Sequence, residues 1–300
     1  MAEPGPLAAA PPVAAPRRPP RRRPSALVRF FRRQPLGAAG LILILLQALI
    51  ALGAPLVAPY NPVANDFGAM LRSPSAAHWF GTDAFGRDVL SRIIFGARTA
   101  LLVGFGASLT GGTLGAVIGV VSAYFGGKTD LLIQRFVDIL LSFPIIIMAM
   151  AIVAFIGTGA DKLIVAIALS FVPRVERVVR GSALAVRAMT YIEAAQAVGA
   201  GPARIIFRHM APNVIAPYLV MVTAFLGQAI LLEASLSFLG LGVSEPTPAW
   251  GLMLRGAAVD FATRAPWMAI FPGLAITTTV LTFNVLGDAL RDAFDPRLRM

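Results

Sequence analysis

"TALLVGFGASLTGGTLGAVIGVVSAYFGG", Thr99 to Gly127, runs from Arg98 to Lys128 without a charged side chain. A hydrocarbon core about 30 Å thick is crossed by roughly 20 apolar residues in a helix, so this stretch is long enough to span a bilayer. It is solidly apolar rather than alternating with period two, which favours a helix over a barrel strand. Between Arg33 and Asp66, Asp138 and Asp161, Arg208 and Glu233, and Arg264 and Asp288, the chain is again free of charge. Hydrophobic residues make up 57% of the 300 and charged ones 14%, where a soluble domain carries roughly 25% charged. The sequence predicts an all-α integral membrane protein.

The predicted spans are 37–59, 97–124, 131–157, 161–179, 213–240 and 267–288. The fourth is the shortest, because Lys162 and Arg174 leave eleven uncharged residues between them. Orientation supports it. Short cytoplasmic loops are enriched in Lys and Arg, which places the Arg-rich N-terminus inside, the 60–96 loop outside and Gly126–Asp130 inside. If 161–179 crosses, Arg180, Arg187, Arg204 and Arg208 return to the cytoplasm, as do the C-terminal Arg291, Arg297 and Arg299. Six spans with both termini cytoplasmic is the consistent count.

The net charge of +11 draws on Arg17, Arg18, Arg21, Arg22, Arg23, Arg29, Arg32 and Arg33, all before the first span. A basic Pro/Arg-rich cytoplasmic tail over 1–36 suits anionic lipid, at about 1 kcal/mol per residue, better than nucleic acid. Its composition predicts polyproline II or disorder. The absence of cysteine excludes disulfides and thiolate chemistry. Two histidines, His78 and His209, leave little for a metal site. The long basic segment and the length of the first apolar run do not fit a cleaved signal peptide.

Residues 190–213, "TYIEAAQAVGAGPARIIFRHMAPN", interrupt the apolar pattern on the cytoplasmic side. Thr190 and Glu193 have capping-box spacing. Gly199 is placed as a left-handed helix terminator, and Gly201-Pro202 starts a second short helix that Pro212 is expected to end. Ala194, Ala195 and Ala197 keep the first helix thin enough for another backbone to approach. An ordinary helix-turn-helix connector would carry the same capping signals.

The residues of this loop resemble the EAA motif of membrane subunits of ABC importers: Glu193, Ala194, Ala195, three residues, then Gly199. Downstream, Arg208-His209-Met210-Ala211-Pro212-Asn213 resembles the peptide-permease branch, with Ala211 standing where a leucine is usual. "HWFGTDAFGRDVLSRIIFGAR" (His78–Arg98), "EASLSFLGLGVSEPTPAWG" (Glu233–Gly251) and "FNVLGDALRDAFDPR" (Phe283–Arg297) are similar to the dipeptide/oligopeptide/nickel group, in the order of its second, six-span permease subunit.

The resemblance implies a type I importer permease domain over 37–300, in a bacterial inner membrane. Its function would be ATP-driven import of di- or oligopeptides, this chain forming half of the path. The implied partners are a homologous second permease, two cytoplasmic ATPases carrying the ATP and Mg, and an extracytoplasmic solute-binding protein. The chain itself would hold no cofactor, catalyse nothing, and couple to the ATPases through Glu193, Ala194, Ala195, Gly199, Arg204, Arg208, His209 and Pro212. Two alternatives stay open: the same machinery carrying nickel or another small solute, and a secondary transporter driven by an ion gradient.

Other residues invite tests. Gly127-Lys128-Thr129 ends like a phosphate loop, but Ser122 stands where its first glycine belongs. That leaves a tight Gly-Gly turn. Asp138 and Arg135 have i,i+3 spacing for an ion pair. Glu233 lies deep in an apolar run, where an ionisable residue is a functional candidate. It either lines the path or hydrogen-bonds across helices to a serine or to an asparagine such as Asn284. Asp83, Arg87, Asp88 and Arg92 form an outer amphipathic segment, read as a solvated lid, an interfacial segment or part of a binding-protein receptor. Glu245, Pro246 and Trp250 mark a second outer loop, with Trp250 suited to the interfacial belt.

Overall fold

The computed structural model describes residues 31, 34–261 and 263–294. The basic tail's arginines, Arg297 and Arg299 lie outside the described residues. Helices carry the architecture: α1 (Pro35–Leu52), α2 (Val89–Phe125), α3 (Gly127–Leu141), α4 (Ile145–Ile156), α5 (Ala160–Arg187), α6 (Thr190–Ala197), α7 (Ile215–Phe238), α8 (Trp250–Asp260) and α9 (Trp267–Phe294).

The opening apolar stretch belongs to α2, which starts ten residues before it, at Val89. Arg98, expected to mark the edge of the membrane segment, instead donates from Nε to the Ala51 carbonyl at 2.5 Å and from Nη2 to Leu52 at 2.8 Å. Basic side chains at a helix C-terminus satisfy carbonyls left without a helical donor, so the charge is used on α1 and the helix continues past it.

The α2–α5 contact is the most extensive in the molecule. Gly111, Gly115 and Gly119, four residues apart, share one face of α2. A Cβ at Gly111 would stand against the Ala168 carbonyl oxygen, one at Gly115 would lie 2.7 Å from that of Val172, and one at Gly119 2.7 Å from that of Glu176. Small residues at this spacing let membrane helices pack backbone to backbone. Around that seam Val103, Ala107, Ile167, Phe171, Val175 and Phe225 form the main core, with Phe171 and Phe225 stacked at 4.3 Å. A second cluster joins α1, α2, α7, α8 and α9.

Two predicted spans differ in shape. The third is broken, since α3 and α4 meet at 94° across Ser142-Phe143-Pro144. Proline removes a donor and disfavours helix for the residue before it; the apolar run simply continues through the break. The fourth is continuous over all 28 residues of α5, with Pro173 inside it. By length and apolar content, α1, α2, Pro202–Phe238 and Trp267–Ala293 suffice to cross a membrane, and the bent pair makes a fifth. Asp161, Lys162, Arg174, Glu176, Arg177 and Arg180 keep α5 outside that set.

Candidate functional site

The 190–213 loop is built on three buried side chains, Ile192, Ile205 and Met210, each 1% exposed or less. They fix its register, and one expectation fails on that account. Met189 is the extended residue before α6, its carbonyl accepts from the Ile192 N–H at 2.9 Å, and Thr190 is already the first helical residue. Seating Ile192 in the core starts the helix one residue early, so Thr190 and Glu193 form no capping box.

The other end is as expected. Gly199 has φ +83°, and its N–H donates to Gln196 at 2.9 Å while Ala200 donates to Ala195 at 3.0 Å. This paired closure is the Schellman motif, which needs a left-handed residue at that place. Pro202 opens the next turn. Pro212 does not end it, contrary to expectation: Pro202–Arg204 widens into π turns over Ile205–Met210, tightens over Ala211–Val214 and runs into α7. The Ala211 N–H reaches back to Ile206, and the Asn213 amide donates to the His209 carbonyl at 2.6 Å and to Tyr191 Oη at 3.1 Å. A side-chain donor thus serves the carbonyl near a proline that has no N–H.

Glu193, Ala194, Gly199, Arg204, Arg208 and Pro212 are exposed, with Ala195 and His209 partly buried. The sequence reading missed the apolar members of this surface, Val198 at 86% and Phe207 at 75% exposure. Their signal was local: large apolar side chains inside an otherwise polar loop.

Behind the loop lies a polar network that sequence spacing did not reveal. Arg180 on α5 grips Asp130 on α3 through Nε at 2.6 Å and Nη2 at 2.5 Å. Asp130 also accepts from Ser122 at 2.5 Å. Gln134, one turn along α3, donates to Glu176 Oε1 at 2.7 Å; Glu176 is fully buried and its Oε2 has no partner among the described residues. Asp138 continues this stripe and pairs with Arg177 rather than with Arg135. The stripe Asp130, Gln134, Asp138 faces α5, which draws Asp138 to the other helix. Gly126 and Gly127 (φ +63° and +52°) make the expected turn before it.

Glu233 is fully buried, accepts from Ser237 Oγ at 2.7 Å, and leaves Oε2 unpartnered among the described residues. Its partner is a serine one turn along its own helix, not a residue across helices such as Asn284.

At the end of the molecule where α2 begins, the expected solvated lid is instead a buried ion cluster. Asp83, Arg87, Asp88 and Arg92 are 7%, 7%, 3% and 1% exposed. Asp83 Oδ1 accepts from the Phe85 and Arg87 N–H groups at 2.8 and 2.9 Å, and Oδ2 from Arg87 Nε at 2.6 Å. Arg87 Nη1 reaches Glu245 at 2.7 Å, and Arg92 Nη2 lies 3.6 Å from the same carboxylate. Burial opposes the Arg87 charge, but Glu245 and Asp83 outweigh it and its pKa is raised. Asp88 caps α2 through Ser91 and holds His78 Nδ1 at 3.0 Å. Trp250 is likewise buried, at 3%, donating to the Ile93 carbonyl at 3.0 Å, rather than sitting in an interfacial belt. Sequence alternation suggested one wet face, but Glu245, 158 positions away from Arg87, supplies the charge that closes it.

A helical bundle with several helices long and apolar enough to cross a membrane, and a folded polar loop between two of them, defines a multi-pass membrane protein. The model for binding-protein-dependent transport system inner membrane components matches residues 111–300, and the N-terminal TM domain of oligopeptide transport permease C matches 25–74. The chain is 43% identical over 272 residues to the glutathione transport system permease protein GsiD of Pectobacterium atrosepticum, covering 90% of each. It is 44% identical over 268 residues to the dipeptide transport system permease protein DppC of Alkalihalophilus pseudofirmus, covering 89% of this chain and 88% of that one. An inward-facing structure of the MetNI methionine ABC transporter matches with a TM-score of 0.51 at 18% identity, over 66% of this chain and 96% of that one. That likeness shows the type I importer permease fold. The protein belongs to the family of binding-protein-dependent transport system inner membrane components, as an ABC importer permease of the dipeptide/oligopeptide group.

Proposed function

We propose that this chain is one of two homologous membrane halves of an ATP-driven importer of small peptides, with six spans and both termini in the cytoplasm. The names of its relatives, one a dipeptide and one a glutathione permease, support a peptide cargo. In this reading the loop of Glu193, Ala194, Ala195 and Gly199 docks on a cytoplasmic ATPase that carries the ATP and Mg, while Arg204, Arg208, His209 and Pro212 shape its second half. The observation that carries the reading is the exposure of Val198 and Phe207 on a loop anchored by buried Ile192, Ile205 and Met210. In this reading those two side chains, held out from an otherwise polar loop, meet the ATPase surface. ATPase closure would displace the loop, and α5 and α7, which enter and leave it, would carry that displacement into the bundle. Such coupling requires the ATPase to contact the loop differently in its open and closed states.

The test is co-purification from detergent of the natural complex, comparing wild type with Val198→Asp, Phe207→Asp and Glu193→Arg. The expected result is that wild type retains the ATPases and the second permease, and that the variants keep the second permease and lose the ATPases. ATPases held equally by all four proteins would refute the assignment of this surface.

A further inference from the structure

We infer that the cavity lined by Arg87, Arg92 and Glu245 is a binding site for the free carboxylate of a peptide solute, whose place on Arg87 the Glu245 carboxylate takes in this state. The inference rests on the importer reading and on the outward orientation it gives this end of the molecule.

The two acidic groups of the cavity differ in how firmly they are held. Asp83 is tied to two backbone N–H groups and to Arg87 Nε, so it is part of the wall. Glu245 comes from the connection between α7 and α8, its side chain is 46% exposed, and among the described residues its hydrogen bond is to Arg87, with Arg92 Nη2 at 3.6 Å. It is the group that can leave. With it gone, two guanidinium groups face one fixed carboxylate, a surplus of one positive charge, which matches one ligand carboxylate. Asp88 cannot supply the missing charge, being committed to His78 and to the start of α2.

Arg92 gives the second indication. Its side chain is 1% exposed, its Nη1 donates to the Pro62 carbonyl at 3.1 Å, and its Nε, 3.7 Å from Asp83, has no hydrogen-bond partner among the described residues. A buried charged donor left unmade is costly, and arginine forks bind carboxylates with two parallel bonds. The cavity itself is about 260 Å³, with Leu252, Met253 and Met268 among its apolar lining. One carboxylate with one apolar side chain fits, which is the C-terminal residue of a peptide.

The experiment uses the intact detergent-purified complex without its binding protein, titrated calorimetrically with Ala-Ala-Leu and with its C-terminal amide. In Glu245→Gln the competing charge is gone while both arginines remain, so the free peptide should bind at least about ten-fold tighter than to wild type, the scale of one charge-assisted hydrogen bond. The amide should gain nothing. Glu245→Ala should behave as Glu245→Gln does, separating loss of the competitor from any effect of the new amide. Equal affinities of the peptide for wild type and both variants overturn the proposal, as does an equal gain by the amide. A gain in affinity for the purified binding protein in place of the peptide also overturns it. Absence of ATPases from the complex would instead sink the importer reading, and is scored separately by gel.

Discussion

Substitution at Gly199 isolates the backbone's share in holding the loop. The residue has φ +83°, and a Cβ built there meets nothing within 4 Å. A side chain therefore clashes with no neighbour, and the whole cost is torsional. An L-residue in the left-handed region loses about 1–2 kcal/mol; asparagine tolerates it better, and a β-branched residue worse. A loss of 1–2 kcal/mol is a factor of roughly 5–30 in a folded ratio. An eight-residue helix such as α6 is too short to stand without its closure. Gly199→Asn, →Ala and →Val should thus impair peptide uptake in that order, at equal membrane abundance. Exchange of the Ala200 amide, whose bond to Ala195 closes the motif, should quicken by about 5–30-fold in the alanine variant. Uptake that is the same for asparagine and valine would refute the reasoning, because then torsion at 199 does not hold the loop.

Three further outcomes are expected. Gly115→Leu should abolish accumulation of the folded chain, since a Cβ there already lies 2.7 Å from the Val172 carbonyl oxygen; normal protein levels on a blot would contradict the helix seam. Asp130→Arg and Arg180→Asp should each lower thermal stability by about 1–3 kcal/mol, and the double exchange should recover part of it, as read by melting in detergent. Glu233→Gln should keep ATP-driven uptake that a protonophore does not abolish; wild-type uptake that collapses with the proton gradient, and is lost in Glu233→Gln, would favour gradient-driven transport.

Local chemistry was legible and long-range pairing was not. The Gly199 closure and the Gly126-Gly127 turn were readable because a left-handed residue is demanded within a few positions of the helix end it serves. The charge-free runs announced the apolar helices for the same reason. The capping box failed because Ile192, drawn into a core assembled from distant segments, sets the helix start. The apparent Asp138–Arg135 pair and the wet face of Asp83, Arg87, Asp88 and Arg92 failed because their partners, Arg177 and Glu245, arrive from other elements. The sequence reading passed over Glu176, yet it is fully buried, with one carboxylate oxygen met by Gln134 from α3. The break at Pro144 went unforeseen, hidden by an apolar run that continues through it.

The glycine seam between α2 and α5 also has a mechanical meaning. With carbonyls instead of side chains at the contact, nothing compressible separates the two helices, and they act as one two-rail beam. At 1.5 Å per residue α5 is about 42 Å long, so a 5° tilt about its middle moves each end by about 2 Å. A push delivered at Arg187 would reach the Ala160 end as a swing in the opposite direction, with Pro173 the one place inside α5 where a proline interrupts the ladder. Further compliance lies at the joints: the paired glycines at 126 and 127, and the corner at Pro144.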